Sequence, residues 1–255
     1  MVEIKTDGEL DAMREAGRVV GRALAAVEKA AAIGVSLTAL DEVAREVLRE
    51  AGAGSPFLNY RPHFAATPFP AVICASVNDA IVHGIPTDYR LRDGDLVSID
   101  CGATLDGWAG DAATSFTVGT PRPADLELIA TGRAALAAGI AAAVPGARMG
   151  DIGHAIGTVG RCAGYGIPAD FGGHGIGRRM HEDPPVPNTG RPGRGFVLRH
   201  GLVLALEPMF LAGGSDTYAH DPDGWTLRTT DGSRATHSEH TVAITDDGPR
   251  VLTLP

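Results

Sequence analysis

Four carboxylates stand beside apolar, strand-like runs. Asp100 follows Leu96-Val97-Ser98-Ile99, and Asp111 opens the run Ala112 to Val118. Glu207 caps Leu202 to Leu206 just before Pro208, and Glu239 precedes His240-Thr241-Val242-Ala243-Ile244. Four carboxylates gathered in a core would repel one another and lose hydration, which proteins relieve by protonation, ion pairing or metal binding. Two divalent cations would balance the charge. His174, within FGGHGIG, adds an imidazole nitrogen among glycines that allow close backbone approach. An oxygen-rich set with one nitrogen suits Mn(II), Fe(II), Co(II) or Zn(II). Taken singly, each strand-end carboxylate is ordinarily a solvated or capping residue, and a lone histidine is ordinarily a hydrogen-bonded structural one. Convergence is what would make them a site.

The first pair can be tested for convergence by parity. Asp106-Gly107 is a two-residue hairpin signal between the first two runs. Such a turn sets Asp100 opposite Ala113 and Asp111 opposite Gly102, so both aspartates share one face. As diagonal neighbours they lie within about 7–8 Å at the backbone. A wider, bulged loop would alter that register.

The supporting elements recur along the chain. Thr6 and Glu9 are spaced as a capping box, and Leu10, Met13, Val20, Leu24 and Val27 follow at helical spacing towards Gly34. A second helix is expected from about Ala39 to Ala51, ended by Gly52. A shift of 112 residues returns the same plan: a helix near 123–143, a Pro145-Gly146 turn and a helix near 149–163. A shift of 107 aligns LRDGDLVSID (91–100) with LRHGLVLALE (198–207), and a shift of 98 sets His83 opposite His181. This predicts duplication, with halves of about 1–120 and 121–255 in one compact α+β domain over 1–255. A pseudo-twofold axis would bring the carboxylates to a central cleft.

Composition narrows the class. With 255 residues and 44% hydrophobic content the chain can bury a sizeable core. A net charge of -9 and a pI near 5.4 argue against a general nucleic-acid binder. Cys74, Cys101 and Cys162 form no CxxC pair, and the charged, amphipathic opening segment does not read as a signal peptide. The apolar stretch Ala134 to Val144 falls well short of a bilayer span. A cytoplasmic protein without membrane attachment is expected.

Through VNDAIVHGIP, SIDCGATLDGWAGDAATSF, GGHGIGRRMHEDPPVPN, LALEPM and SEHTVAIT, the chain resembles type I methionine aminopeptidases over nearly its whole length. The resemblance implies the pita-bread fold, two pseudo-twofold-related halves with a central antiparallel sheet and helices outside. It implies removal of the initiator methionine from nascent proteins with a small second residue, by attack of a water bridging two divalent ions on the scissile carbonyl. Asp111 and Glu239 would bridge the ions, Asp100 would complete one, and His174 with Glu207 the other. Glu207 is the candidate proton shuttle. His83 and His181, by themselves ordinary cleft histidines, would contact the scissile peptide and stabilise its oxyanion. His63, Phe69, Cys74, Met180 and Trp225 would line the side-chain pocket, although Trp225 alone reads equally as a core or hairpin aromatic. One departure stands out: His237 occupies a position where such enzymes often carry Gln.

Two other activities share this fold: proline-specific peptidases and non-catalytic peptide binders. The former usually carry a sizeable N-terminal domain and the latter commonly lose ligands, whereas all five ligand positions are filled here. The expected partners are the N-terminal Met of nascent chains and, transiently, the ribosome, with no specific nucleic acid. A monomer is expected.

Overall fold

The structure is a computed structural model describing residues 2–62 and 65–255. The first group of elements is α1 (Asp7–Ala30), α2 (Leu37–Glu50), β1 (Ile73–Val77), β2 (Ala80–Val82), β3 (Leu96–Leu105) and β4 (Trp108–Thr117). The second begins with α3 (Pro123–Ala142), α4 (Met149–Cys162), β5 (Gly172–Gly175), β6 (Glu182–Pro187) and β7 (Val203–Leu206). It continues with β8 (Met209–Leu211), β9 (Tyr218–His220), β10 (Leu227–Thr229), β11 (Ala235–His237), β12 (His240–Thr245) and β13 (Gly248–Val251).

Local chemistry sets the helix starts. The Glu9 carboxylate accepts the Thr6 N–H at 2.9 Å and the Thr6 hydroxyl at 3.0 Å, closing the first turn of α1. The Ser36 hydroxyl accepts the Ala39 N–H at 3.2 Å. That cap begins α2 two residues before the expected Ala39, because the N-cap and not the first apolar residue of the periodic face decides the start.

The β3–β4 ladder runs unbroken from Leu96 opposite Thr117 to Leu105 opposite Trp108. Asp106 and Gly107 both adopt positive φ, 50° and 77°, the conformation that lets a two-residue turn follow the twist of its strands. The expected register is observed: Asp100 faces Ala113 and Asp111 faces Gly102. Neither aspartate is at a strand end, however. Pairing continues to the turn itself, so both sit mid-strand on a covered face and are buried. In the second group β7 pairs with β12 and β8 with β11, and Glu207-Pro208 opposite Ser238-Glu239 interrupts the run. Pro208 has no N–H to give a ladder.

The internal correspondence extends to detail. Shifting α2 by 112 residues reproduces both limits of α4. The isolated bridges Ser36–Arg90 and Gly54–Thr104 recur as Arg148–Val197 and Gly166–Leu211. Gly94 and Gly201 turn into equivalent strands at φ 81° and 83°, which an L side chain resists. Between the groups, β4 lies antiparallel to β11 and β12. There Glu239 N–H donates to Ala113 O at 2.9 Å, and Asp111 N–H donates to Thr241 Oγ1 at 3.0 Å. The sheet is therefore continuous across the molecule.

The helices cover it from outside. α1 crosses β4 so closely that a Cβ on Gly110 would stand 2.9 Å from Gly17 Cα. One apolar cluster joins α1 and α2 to β1 and β3 through Val20, Leu40, Ile73 and Ile99, and another joins α3 and α4 to β7 and β12 through Leu128, Ile152, Leu204 and Val242. Each such side chain, fully removed from water, contributes about 1.5–3 kcal/mol. No helix of the described residues is long and apolar enough to cross a membrane.

Candidate metal centre

The five carboxylate and histidine positions singled out from the sequence converge at the junction of the two groups. Ligand atoms of Asp111, His174 and Glu239 lie within 4.8 Å of one another, as do those of Asp100, His237 and Glu239. Glu239 belongs to both sets. Glu207 belongs to neither, but its Oε1 stands 3.7 Å from His174 Nε2 and its Oε2 stands 3.4 Å from His237 Nε2. His174 is carried on β5, where a Cβ on Gly173 would overlap the Ala205 carbonyl and one on Gly175 the Asp183 carbonyl. The glycines of FGGHGIG thus serve the close strand approach that brings the imidazole in. His174 Nδ1 bonds the Gly175 carbonyl at 2.9 Å, which leaves Nε2 as its lone-pair nitrogen.

Burial dominates the electrostatics. It raises Asp100 and Glu239 well above the ordinary carboxylate range, with the charge of Asp111 adding to both. Burial and then the Glu207 charge push Asp111 up to about 8, and burial pushes Glu207 up to about 8. The same desolvation lowers His174 and His237 to about 3 and His83 to about 4, so these imidazoles are neutral at pH 7. Asp100 Oδ1, Asp111 Oδ1, Glu239 Oε1 and His237 Nε2 are buried without a hydrogen-bond partner. Orphaned polar atoms of this kind cost about 1–3 kcal/mol each, and the three carboxylates among them line one cavity. Hard oxygen donors with imidazole nitrogens are a donor set that fits divalent transition-metal ions.

The cluster opens into a cavity of about 300 Å³. Phe69, Cys74, Met180 and Trp225 form one apolar wall with Phe57. Trp225 meets Phe69 edge-on at 5.1 Å, and its Nε1–H donates to Thr67 O at 3.0 Å. His83 and His181 line the same cavity. The His181 ring is 4.3 Å from that of His174, and His181 Nδ1 shares a 3.1 Å hydrogen bond with Tyr60 OH. His83 adopts φ 59°, a strained backbone for a non-glycine residue. His63 lies outside the described residues. Tyr60, Phe57 and Phe171 also line the cavity and were not anticipated, because they lie in irregular segments without a periodic signal. His237 was anticipated as a departure but not as a member of the cluster.

The model of the family described as Metallopeptidase family M24 matches residues 11–246. The chain belongs to this family. Membership implies a divalent metal, in keeping with the donor set just described. Methionine aminopeptidase 1 of Mycobacterium tuberculosis is similar to this M24 chain, at 54% identity over 261 aligned positions spanning 100% of this chain and 96% of that protein. The crystal structure of methionine aminopeptidase from Thermotoga maritima matches with a TM-score of 0.95 at 38% identity, covering 100% of both chains. Prolidase from Pyrococcus furiosus matches with a TM-score of 0.76 at 23% identity over 99% of this chain and 65% of that one, which is a likeness of fold alone. The architecture is the pita-bread fold of these M24 proteins.

Proposed function

We propose that this M24 chain is a type I methionine aminopeptidase, removing the initiator methionine from nascent polypeptides whose second residue is small. The observation that carries the reading is a buried carboxylate–imidazole cluster that shares one cavity with an apolar wall and with His83 and His181, both of which burial keeps neutral. The full-length similarity to methionine aminopeptidases supports it over a proline-specific or non-catalytic alternative.

In this reading Asp100, Asp111, His174, Glu207 and Glu239 would hold two divalent ions, Co(II), Mn(II), Fe(II) or Zn(II), with Asp111 and Glu239 serving both. Bound there, the ions supply Lewis acidity and make water acidic enough to attack near neutral pH. Glu207 takes the proton of the attacking water and delivers it to the leaving amine. His83 and His181, being neutral, present N–H groups to the scissile carbonyl oxygen as negative charge develops on it. Phe69, Cys74, Met180 and Trp225, with His63, hold the methionine side chain. Residues 1–255 act as one catalytic unit, a monomer working in the cytoplasm where nascent chains emerge, in transient contact with the ribosome.

The test is hydrolysis of Met-Ala-Ser, Met-Leu-Ser and Xaa-Pro peptides by chelator-stripped protein titrated with each of the four metals. Metal-dependent release of Met from Met-Ala-Ser in preference to Met-Leu-Ser is expected. Cleavage of Xaa-Pro instead would mean a proline peptidase. Absence of turnover with two ions bound would mean a binding protein.

A further inference from the structure

We propose that His237 is itself a metal ligand, completing the ion held by Asp100 and Glu239, so that each of the two metals carries one histidine nitrogen. The inference rests on the dinuclear reading above and adds a sixth side chain to its five.

The geometry carries it. His237 Nε2 is buried and has no hydrogen-bond partner. It stands 3.4 Å from Glu207 Oε2 and 3.7 Å from Glu239 Oε2, and a ring nitrogen of His237 lies within 4.8 Å of carboxylate oxygens of Asp100 and Glu239. With bonds of about 2.1 Å to a shared ion, neighbouring donors stand roughly 3.0–3.4 Å apart, a little closer than the 3.7 Å between His237 Nε2 and Glu239 Oε2 in the absence of the ion. An internal yardstick agrees, because His174 Nε2 lies 3.7 Å from Glu207 Oε1. The two imidazoles thus approach Glu207 from either side, His174 at one carboxylate oxygen and His237 at the other. By contrast, His181 Nδ1 is engaged with Tyr60 OH, and His83 is in neither ligand group.

The backbone of His237 is held where a ligand would need it. On one side it pairs with Met209 in the β8–β11 ladder. On the other, Ser115 Oγ donates to His237 O at 2.8 Å and accepts the His237 N–H at 3.1 Å, while Ser98 Oγ lies 2.7 Å from Ser115 Oγ. Both serines are buried. Because Ser115 spends its single proton on His237 O, Ser98 must donate to Ser115, and the chain of hydrogen bonds is closed. A supporting shell of this kind fixes a side chain to the small tolerance that metal coordination demands.

An imidazole on the Asp100 side changes what that side prefers. Nitrogen donors favour Co(II) and Zn(II) over Mn(II), which is content with oxygen. The His237→Gln variant, which keeps the length and polarity but removes the imidazole, should lose at least about 10-fold in Co(II) affinity at one site and far less in Mn(II) affinity.

The deciding measurement is paramagnetic proton NMR of the Co(II)-loaded full-length protein in H2O and D2O, with bound metal counted on the same samples. Each ligated imidazole gives one shifted, exchangeable N–H signal. Two such signals are expected in the unaltered protein and one in His237→Gln. One signal with two ions bound would overturn the proposal while leaving the dinuclear reading standing. Fewer than two bound ions would overturn both. The count is made first on the unaltered protein, so a variant that failed to fold would not spare the proposal.

Discussion

Glu239 and Ala113 exchange both of their backbone hydrogen bonds, Glu239 N–H to Ala113 O at 2.9 Å and Ala113 N–H to Glu239 O at 3.4 Å. Two residues far apart in the chain are thereby made neighbours in one sheet. Glu239 arrives from the second half of the sequence, and on β4 Asp111 is two residues from Ala113. The carboxylates assigned as bridging therefore depend on one strand junction for their separation.

That junction has a side-chain clasp, and removing it should loosen the site. Thr241 Oγ1 accepts the Asp111 N–H at 3.0 Å and donates to the Asp111 carbonyl at 2.8 Å. Thr241→Val keeps the shape but leaves two buried backbone groups unpaired, so it should cost about 1–3 kcal/mol. Denaturant unfolding of the metal-free variant should show the loss, and metal titration should show weaker binding. Unchanged stability and affinity would mean that the clasp is idle.

Metal uptake should release protons. Burial holds Asp111 and Glu207 at about 8, so both are protonated at pH 7 in the metal-free protein, whereas His174, at about 3, is already neutral. Affinity should rise by about tenfold per pH unit for each proton displaced, for as long as the ligand carboxyls remain protonated. The sign for stability is opposite. A carboxyl whose folded value is raised stabilises the metal-free fold below its ordinary value and loses that contribution as pH climbs through 8. The metal-free protein should therefore weaken from pH 6 to 9, and metal should reverse the trend. Chelator competition and unfolding midpoints across that range would measure both, and pH-independent affinity would contradict the argument.

His83 is in neither ligand group, so its removal should separate binding from chemistry. His83→Ala should retain both metals and lose about 10²-fold in kcat, the usual cost of one oxyanion donor. Metal analysis beside steady-state kinetics checks it. Loss of an ion with the activity would make His83 a ligand instead.

Much of this was legible from residue order because the signals were local and periodic. Asp106-Gly107 dictates a turn whose two-residue period carries Asp100 and Asp111 to one face, and the repeated apolar spacing of α2 and α4 exposes the internal correspondence of these helices. The strand limits were misread because a carboxylate in an apolar run looks like an end when the face it occupies is unknown. Tyr60 and Phe171 lie in irregular segments, where no period assigns a side chain to the cavity. The approach of His237 to Glu207 depends on the β4–β11 junction, a long-range pairing that leaves no mark in either strand.

The loop before β6 depends on an ion pair that should be costly to break and cheap to replace. Lys5 Nζ lies 2.8 Å from Glu182 Oε2, and both side chains are only 3% exposed. Glu182 Oε1 also accepts the Arg179 N–H at 3.0 Å, and Lys5 N–H donates to Gly201 O at 2.7 Å. The pair thus ties the N-terminal segment to the loop that carries Met180 and His181 at the cavity. Lys5→Met would leave a carboxylate buried without its cation, at a cost of about 3–5 kcal/mol, whereas Lys5→Met with Glu182→Leu removes both charges and should recover most of it. His181 should be misplaced in the single variant, so kcat should fall there and return in the double one. Unfolding midpoints and kinetics of the three proteins decide the matter. Equal loss in the single and double variants would mean that the pair contributes through packing and not through charge.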